Sequence, residues 1–462
     1  MSWFKLSAFF LRLSALFVAI VVPSTLFPFI VGKYAWFRGS VAISLGLFCI
    51  GVLANHEAAK PYLARLRATL VSPIGISVIL FSFFFILAGL FGVDPAASFW
   101  SNFERGEGGL QVLHLSLFFF LLSSLLASTE DWRRMLRWVV AGGVLMVVYG
   151  FFAAYGYQGF VGATLAESGS GFRFQGSIGN PAYVGALCIF FLGYLAYLLH
   201  ARYRERKLLS LGSFFVGLLG AGFIAVLFFS KTRGALVALV VAAAVAIAYF
   251  AWFHRAWRKR LLAGGALLIV LLVVAVQFRQ TQFIQSLPIS RIFDISIGAE
   301  TFQTRGIMWG VAYRGFLDRP VLGWGPENYI QVFDRHFDTA YYVPGNPFGA
   351  WFDRAHSIIF DYLVETGALG LVSYLGMFVV FFWQFFRTRK IELTRRLLTE
   401  ESILIGLAVA YLVQGVVLFD VLPISYNLFF FLALGGAYVT RIQDEKRKEI
   451  KEKGGNPLKQ AA

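Results

Sequence analysis

The run FDRAHSIIFDYLVETGALG, residues 352–370, carries the side chain best placed to move a proton. His356 opens an apolar stretch there, with Asp353 three residues earlier as the predicted N-cap. A histidine in a first helical turn feels the positive end of the helix dipole, which lowers its pKa and keeps the ring neutral. A neutral imidazole is what a general base requires. A capping or hydrogen-bonded structural role is the plainer reading, and a surplus of cations in the same family of loops weighs against it. Those loops hold Arg105, Arg173, Lys231, Arg233, Arg305 and Arg354. Guanidinium groups bind phosphate oxygens in bidentate fashion, so such a concentration suits an anionic ligand. Ion pairing with Glu104, Glu107, Asp318, Asp334, Asp338 and Asp353 is the competing use of the same arginines.

Spacing sorts some of them. In TRGIMWGVAYRGFLD (304–318), Arg305, Trp309, Tyr313 and Phe316 recur along one helical face. Arg314 falls half a revolution away and is expected to pair with Asp318 at i+4, leaving Arg305 for a ligand. Arg233 lies in FFSKTRGALVAL, where one apolar span ends and the next begins within a few residues. Lys231 and Arg233 are thereby delivered to a membrane interface, where the phosphates of a lipid-linked substrate would sit. Plain interfacial anchoring of the two spans is the alternative.

The elements that must position these groups are membrane spans. The chain is 462 residues long, 58% hydrophobic and only 14% charged, which excludes an ordinary soluble domain and a disordered chain. Its apolar runs give about twelve spans of bilayer length, at 9–31, 36–54, 70–92, 109–127, 136–156, 181–200, 210–229, 234–253, 261–278, 357–386, 402–419 and 421–440. The expected fold is an all-α polytopic membrane protein. It divides into spans one to nine (1–278), a large folded loop carrying short helices (279–355), spans ten to twelve (356–440) and a basic tail (441–462). Basic residues crowd alternate loops, among them Arg133, Arg134 and Arg137, Arg202 to Lys207, and Arg255 to Arg260. The positive-inside rule makes that side cytoplasmic, with both termini on it and His356 on the opposite face. The same rule accounts for the net charge of +16 without a nucleic-acid partner. Cys49 and Cys188 both fall inside apolar runs, so no disulfide framework is expected.

Several chemistries lack their motifs. There is no Asp-x-Asp pair for a metal-bound nucleotide sugar, no Gly-rich phosphate loop, no Gly-x-Ser-x-Gly and no His-Glu-x-x-His. Acidic residues are missing from most span interiors, which disfavours an ion-coupled transporter, although a polysaccharide or lipid-linked sugar transporter remains the rival of another class.

With these residues in view, the chain resembles the bacterial O-antigen ligase and O-antigen polymerase superfamily of membrane glycosyltransferases. The resemblance is carried by RGIMWGVAYRGFLDRPVLGWGPENY (305–329) followed by RAHSIIFDYLVETGALG (354–370). The pattern is Arg and Trp, then Pro-x-x-Gly-x-Gly, then a His-led helix with Glu-x-Gly-x-x-Gly. FERGEGG (103–109), FRFQGSIGNPAYVGA (172–186) and SKTRGA (230–235) add to it. Ser357, where many members have Asn, and Lys231-Thr232, where Ser-rich turns are common, depart from the pattern. The resemblance implies a C-type glycosyltransferase (GT-C) fold, His356, Arg233 and Arg305 as the catalytic residues, no metal or other cofactor, and inversion at the anomeric carbon. It further implies an undecaprenyl-diphosphate-linked glycan as donor, used on the periplasmic face of the inner membrane. Arg105, Arg173, Lys231, Trp309 and Arg354 are then the expected substrate-binding groups, with Tyr341, Tyr342 and Trp351 stacking on sugar rings. A lipid A–core acceptor, making the protein an O-antigen ligase, is favoured. A growing glycan (a polymerase) and a protein hydroxyl (an O-oligosaccharyltransferase) are the alternatives.

Overall fold

The computed structural model describes residues 2–102, 104–165, 172–282, 300–341, 351–388 and 395–452, and all regular structure among them is helical. In chain order the helices are α1 Trp3–Leu13, α2 Val31–Ala54, α3 His56–Leu70, α4 Pro73–Leu90, α5 Pro95–Trp100, α6 Gly109–Leu125, α7 Thr129–Ala154 and α8 Pro181–Arg204. They continue as α9 Leu211–Phe229, α10 Arg233–Phe253, α11 Arg255–Gln277, α12 Glu300–Asp318, α13 Tyr329–Arg335, α14 Ile358–Thr388, α15 Arg395–Gly415 and α16 Leu422–Glu452. Three of them open on the same signal, a capping side chain followed by Pro at the first helical position. Ser72 accepts from the Gly75 N–H at 3.1 Å, Asp94 from Ala97 at 3.0 Å and Asn180 from Ala182 at 2.9 Å. The cap satisfies an otherwise orphaned donor, and Pro at that position has no N–H to lose.

Among the described residues, nine helices are long and apolar enough to cross a membrane: α2, α4, α7, α8, α9, α10, α14, α15 and α16. These coincide with nine of the expected spans. Expected span 109–127 is the shorter apolar helix α6, and 261–278 overlaps α11, which ends at Gln277. The first expected span, 9–31, is corrected. Helix α1 stops at Leu13, a 3-10 turn covers Ser14–Ala19, and the chain then folds back on itself, with the Val22 N–H donating to the Pro28 carbonyl at 3.0 Å. Pro23 and Pro28 each remove a helical donor, so the apolar run cannot continue as one helix. Hydropathy alone does not register that. Helices α16, α8 and α15 are the most buried and form the centre of the bundle, whereas α9 and α10 lie at its rim.

At the end of the bundle that carries the basic loops, Glu400 and Glu401 of α15 are buried. Glu400 accepts from the Tyr197 hydroxyl at 3.0 Å, from Arg204 at 2.9 Å and from Arg441, while Glu401 accepts from Tyr249 at 2.8 Å. These bonds tie α8, α10 and α16 to one helix.

At the other end the two glycine motifs prove to be halves of one joint. Helix α14 is broken at Gly367 (φ 65°, ψ −168°). The break frees the carbonyls of Val364 and Glu365, which accept from the N–H groups of Trp324 at 2.9 Å and Gly325 at 2.8 Å. It also frees the N–H groups of Ala368 and Leu369, which donate to Pro320 at 2.8 Å and Val321 at 3.3 Å. A Cβ on Gly323 would collide with the backbone of Val364 and Glu365, and one on Gly367 with that of Val321. Around this joint Met308, Val311, Trp324, Tyr329, Phe333 and Val364 form a small core of their own. Gly367→Ala is therefore expected to destabilise the protein by about 1–3 kcal/mol from its left-handed backbone alone, with the collision adding to it. Thermal unfolding in detergent measures this, and an unchanged midpoint would show that the joint is not rigid.

Candidate functional site

Four segments converge above the joint. The segment after α5 brings Arg105, which donates from Nε and Nη2 to the two carboxylate oxygens of Asp353, at 2.7 and 3.0 Å. Asp353 is thus the counter-ion of Arg105 and not the predicted N-cap. Burial works against its charge, yet the Arg105 hydrogen bonds outweigh that and hold the Asp353 pKa below the usual carboxylate range. Segment 172–180 brings Arg173, which donates to the Ser230 carbonyl at 3.1 Å and to the Thr232 hydroxyl at 3.4 Å. The turn between α9 and α10 thereby gathers three cations, since Lys231 sits in it and Arg233 opens α10. Helix α12 supplies Arg305, half-buried and with no hydrogen bond or ion pair among the described residues. Beside it Trp309 lies flat on Phe360, with ring centroids 5.3 Å apart at 11°.

His356 stands at the centre, just before α14. Its backbone is left-handed (φ 58°), a conformation that costs a non-glycine residue about 1–3 kcal/mol and persists where the surroundings impose it. Among the described residues, Ser101, Arg206, Lys231 and Glu327 also have positive φ, and of these Glu327 binds the Arg354 guanidinium and the Ser101 hydroxyl. The ring is packed edge-on between Phe352 and Phe419, with centroids at 5.4 and 5.1 Å. Its Nδ1 lies 3.2 Å from the Arg354 carbonyl. Burial lowers the His356 pKa and outweighs the raising effect of the Arg354 carbonyl; the positive charges of Arg305 and Arg105 lower it further, with Asp353 opposing them. The neutral ring expected from the helix dipole is favoured here chiefly by burial, with smaller contributions from two arginines brought from distant parts of the chain.

The arginine turn and the histidine are linked through the end of α15. Gly234 packs against Val417 and Gln414, while the Ile358 N–H donates to the Leu418 carbonyl at 3.1 Å. Phe419 carries the Arg105 guanidinium over its face at 5.1 Å and the His356 ring against its edge. Neither Phe419 nor Gln414 is recognisable from sequence, because both sit at the end of an ordinary apolar span.

Arg354 occupies a different setting from the one expected of it. Its guanidinium is buried and donates to Glu365 at 2.5 Å and to Glu327. Burial opposes its charge, but Glu327 and Glu365 raise its pKa well above the ordinary arginine value. It lines a cavity of about 630 Å³, counting the space open to solvent, together with Glu107, Asp361, Glu365, Asp420 and Gln111. Burial pushes Glu107 up to about 8 and Asp420 up to about 7. Among the described residues no group of three or more His, Cys, Asp or Glu is arranged to hold a metal.

Arg314 does not pair with Asp318. It donates to Asp338 at 3.1 Å, and Asp318 instead holds Arg335 at 3.1 Å and His336 at 2.9 Å. The α13 segment lies across α12 and captures both groups, which i+4 spacing within one helix cannot anticipate. Tyr341 packs on Phe352 at 5.5 Å. Trp351 is half-exposed beside Phe333, its indole N–H fixed by Asp334 at 2.8 Å. Tyr342 lies outside the described residues.

Fold and site together define a polytopic α-helical membrane protein with a cationic, histidine-centred site at one end of the bundle. Residues 218–375, about a third of the chain, match the family model described as O-antigen ligase. Arg233, Arg305 and His356 all fall inside the matched region, and Arg105 and Arg173 outside it. No curated protein matches the chain.

Proposed function

We propose that the protein transfers a glycan from undecaprenyl diphosphate to a lipid A–core acceptor at the periplasmic face of the inner membrane, without a metal and with inversion. The observation that carries this reading is that His356, inside the matched region, has its pKa lowered by burial and by the positive charges of Arg305 and Arg105. The acceptor hydroxyl oxygen attacks the anomeric carbon and gives its proton to His356. The bond from that carbon to the diphosphate oxygen breaks, and the electron pair leaves with the diphosphate. Arg233 and Arg305 balance the charge that grows on the leaving group, an effect that is often the largest single contribution to catalysis. Arg105 and Arg173, both held by protein partners, shape the site around those two, with Lys231 beside Arg233. Trp351 offers an exposed ring on which a sugar can stack, with Tyr341 packed behind it against Phe352. The helices on the cationic-loop side then face the cytoplasm, as do both termini, and residues 279–355 form the periplasmic loop.

The test is transfer by purified protein in liposomes holding polyprenyl-diphosphate glycan and lipid A–core, with and without EDTA. Glycan on lipid A–core at an EDTA-insensitive rate is expected. Longer chains still on the polyprenyl carrier would make the protein a polymerase. Absence of any new glycosidic bond with lipid, glycan or protein acceptors would sink the glycosyltransferase reading.

A further inference from the structure

The peptide unit joining Arg354 to Ala355 is held on every side. Its N–H donates to Asp361 Oδ1 at 2.7 Å, and its carbonyl oxygen lies 3.2 Å from His356 Nδ1. The Arg354 side chain is clasped by Glu365 at 2.5 Å and by Glu327. Glu327 is itself fixed, since its second oxygen accepts from the Ser101 hydroxyl at 2.7 Å and its N–H donates to Glu365 at 3.2 Å. Glu365 in turn presents its main-chain carbonyl to Gly325 at the helix break. A carbonyl oxygen bears no hydrogen, so in the His356–Arg354 contact it is Nδ1 that donates. The lone pair of the neutral ring is then on Nε2.

We propose that Arg354 is a positioning residue: locked between Glu327 and Glu365, it holds the main-chain carbonyl that fixes His356 as the Nδ1–H tautomer and leaves Nε2 as the atom that takes the acceptor's proton. The inference rests on the reading of His356 as the base. It replaces the expectation that Arg354 grips substrate, because both terminal nitrogens of its guanidinium are already given to buried carboxylates. In hydrolases with a Ser-His-Asp arrangement a carboxylate orients the imidazole and stabilises its protonated form. A neutral carbonyl orients the ring without a full negative charge, in keeping with a base that must remain unprotonated beside two arginines. The left-handed backbone of His356 and the position of the Glu-x-Gly motif one helical break away have the same explanation. They set the distance from the buried cluster to the ring.

Removing Arg354 alone would strand two buried carboxylates, and a variant that merely unfolds decides nothing. The test is therefore the triple variant Arg354→Met, Glu327→Gln, Glu365→Gln, which removes the three charges together. Neutral replacement of a whole buried ion cluster is often tolerated or stabilising. Thermal unfolding identifies a folded preparation, with Glu327→Gln plus Arg354→Lys as the second variant should the triple one fail to fold. Two readouts follow. Solid-state ¹⁵N NMR of histidine-labelled protein, with His356 assigned by its loss in His356→Ala, should show protonated Nδ1 and unprotonated Nε2 in the wild type and a mixture of tautomers in the variant. The transfer rate should fall roughly 10–100-fold, the scale for a misplaced catalytic group, with KM for the polyprenyl-diphosphate donor unchanged. A folded variant with wild-type tautomer and rate would overturn the proposal. So would a raised donor KM with an unaltered tautomer, because Arg354 would then be a ligand. A tautomer change in a protein that transfers nothing would uphold the positioning role and discard the glycosyltransferase reading instead.

Discussion

His356→Ala is expected to lower the transfer rate by about 10²–10⁴-fold, the usual contribution of a positioned general base, without loss of the folded protein. The ring is packed against Phe352 and Phe419 at the edge of the bundle and bears no buried ion pair, so its removal costs packing at the surface of the site and leaves the helices in place. The wild-type pH profile should carry its signature. Because burial, Arg305 and Arg105 lower the His356 pKa below the ordinary 6.5, the ring stays neutral as the pH falls past 6.5. The rate should accordingly hold there and decline only at more acidic pH. An acid limb centred at or above 6.5, or an alanine variant within tenfold of the wild type, would remove His356 from the chemistry.

Arg305→Ala is expected to produce the second largest effect, and in two separable ways. Loss of one preorganised donor to a developing anion typically costs about 10²–10³-fold in kcat. The same substitution removes a positive charge that presses on His356. With one lowering influence gone the imidazole protonates more readily, so the acid limb of the pH profile should move to higher pH. Arg305→Lys keeps the charge and loses the bidentate geometry. It should leave the limb where it is while recovering only part of the rate. A kcat loss without a shifted limb would place Arg305 on the diphosphate but too far from the base to influence it. A shifted limb with unchanged kcat would mean that it tunes the base and never meets the leaving group.

Much of this architecture is written in local patterns. Among the described residues, apolar runs of bilayer length mark nine helices, because a bilayer demands a continuous stretch of buried hydrogen bonds and leaves an unmistakable composition. Helix starts at Ser72-Pro73, Asp94-Pro95 and Asn180-Pro181 are equally local, since cap and Pro act on the next turn of chain. Where prolines interrupt an apolar run, as at Pro23 and Pro28, hydropathy overstates the helix, because it counts side chains and ignores the missing backbone donors.

The candidate site divides differently. Residue type and position already single out His356, Arg233 and Arg305, for a histidine at the head of a helix and cations at a membrane turn are anomalies that one sequence can display. The linear chain thus displays the anomalous residues and the spans that carry them. Which arginines remain available depends on long-range packing. Arg105 is claimed by Asp353, 248 residues away, Arg354 by Glu327 and Glu365, and Arg314 by Asp338 rather than its helical neighbour. Phe419 joins Arg105 to His356 with nothing in its own segment to announce it. The reason is physical: a charge in a partly buried site takes the partner that packing brings within about 3 Å, because there Coulomb attraction and hydrogen bonding offset desolvation. Spacing along the chain governs that choice only inside one helix.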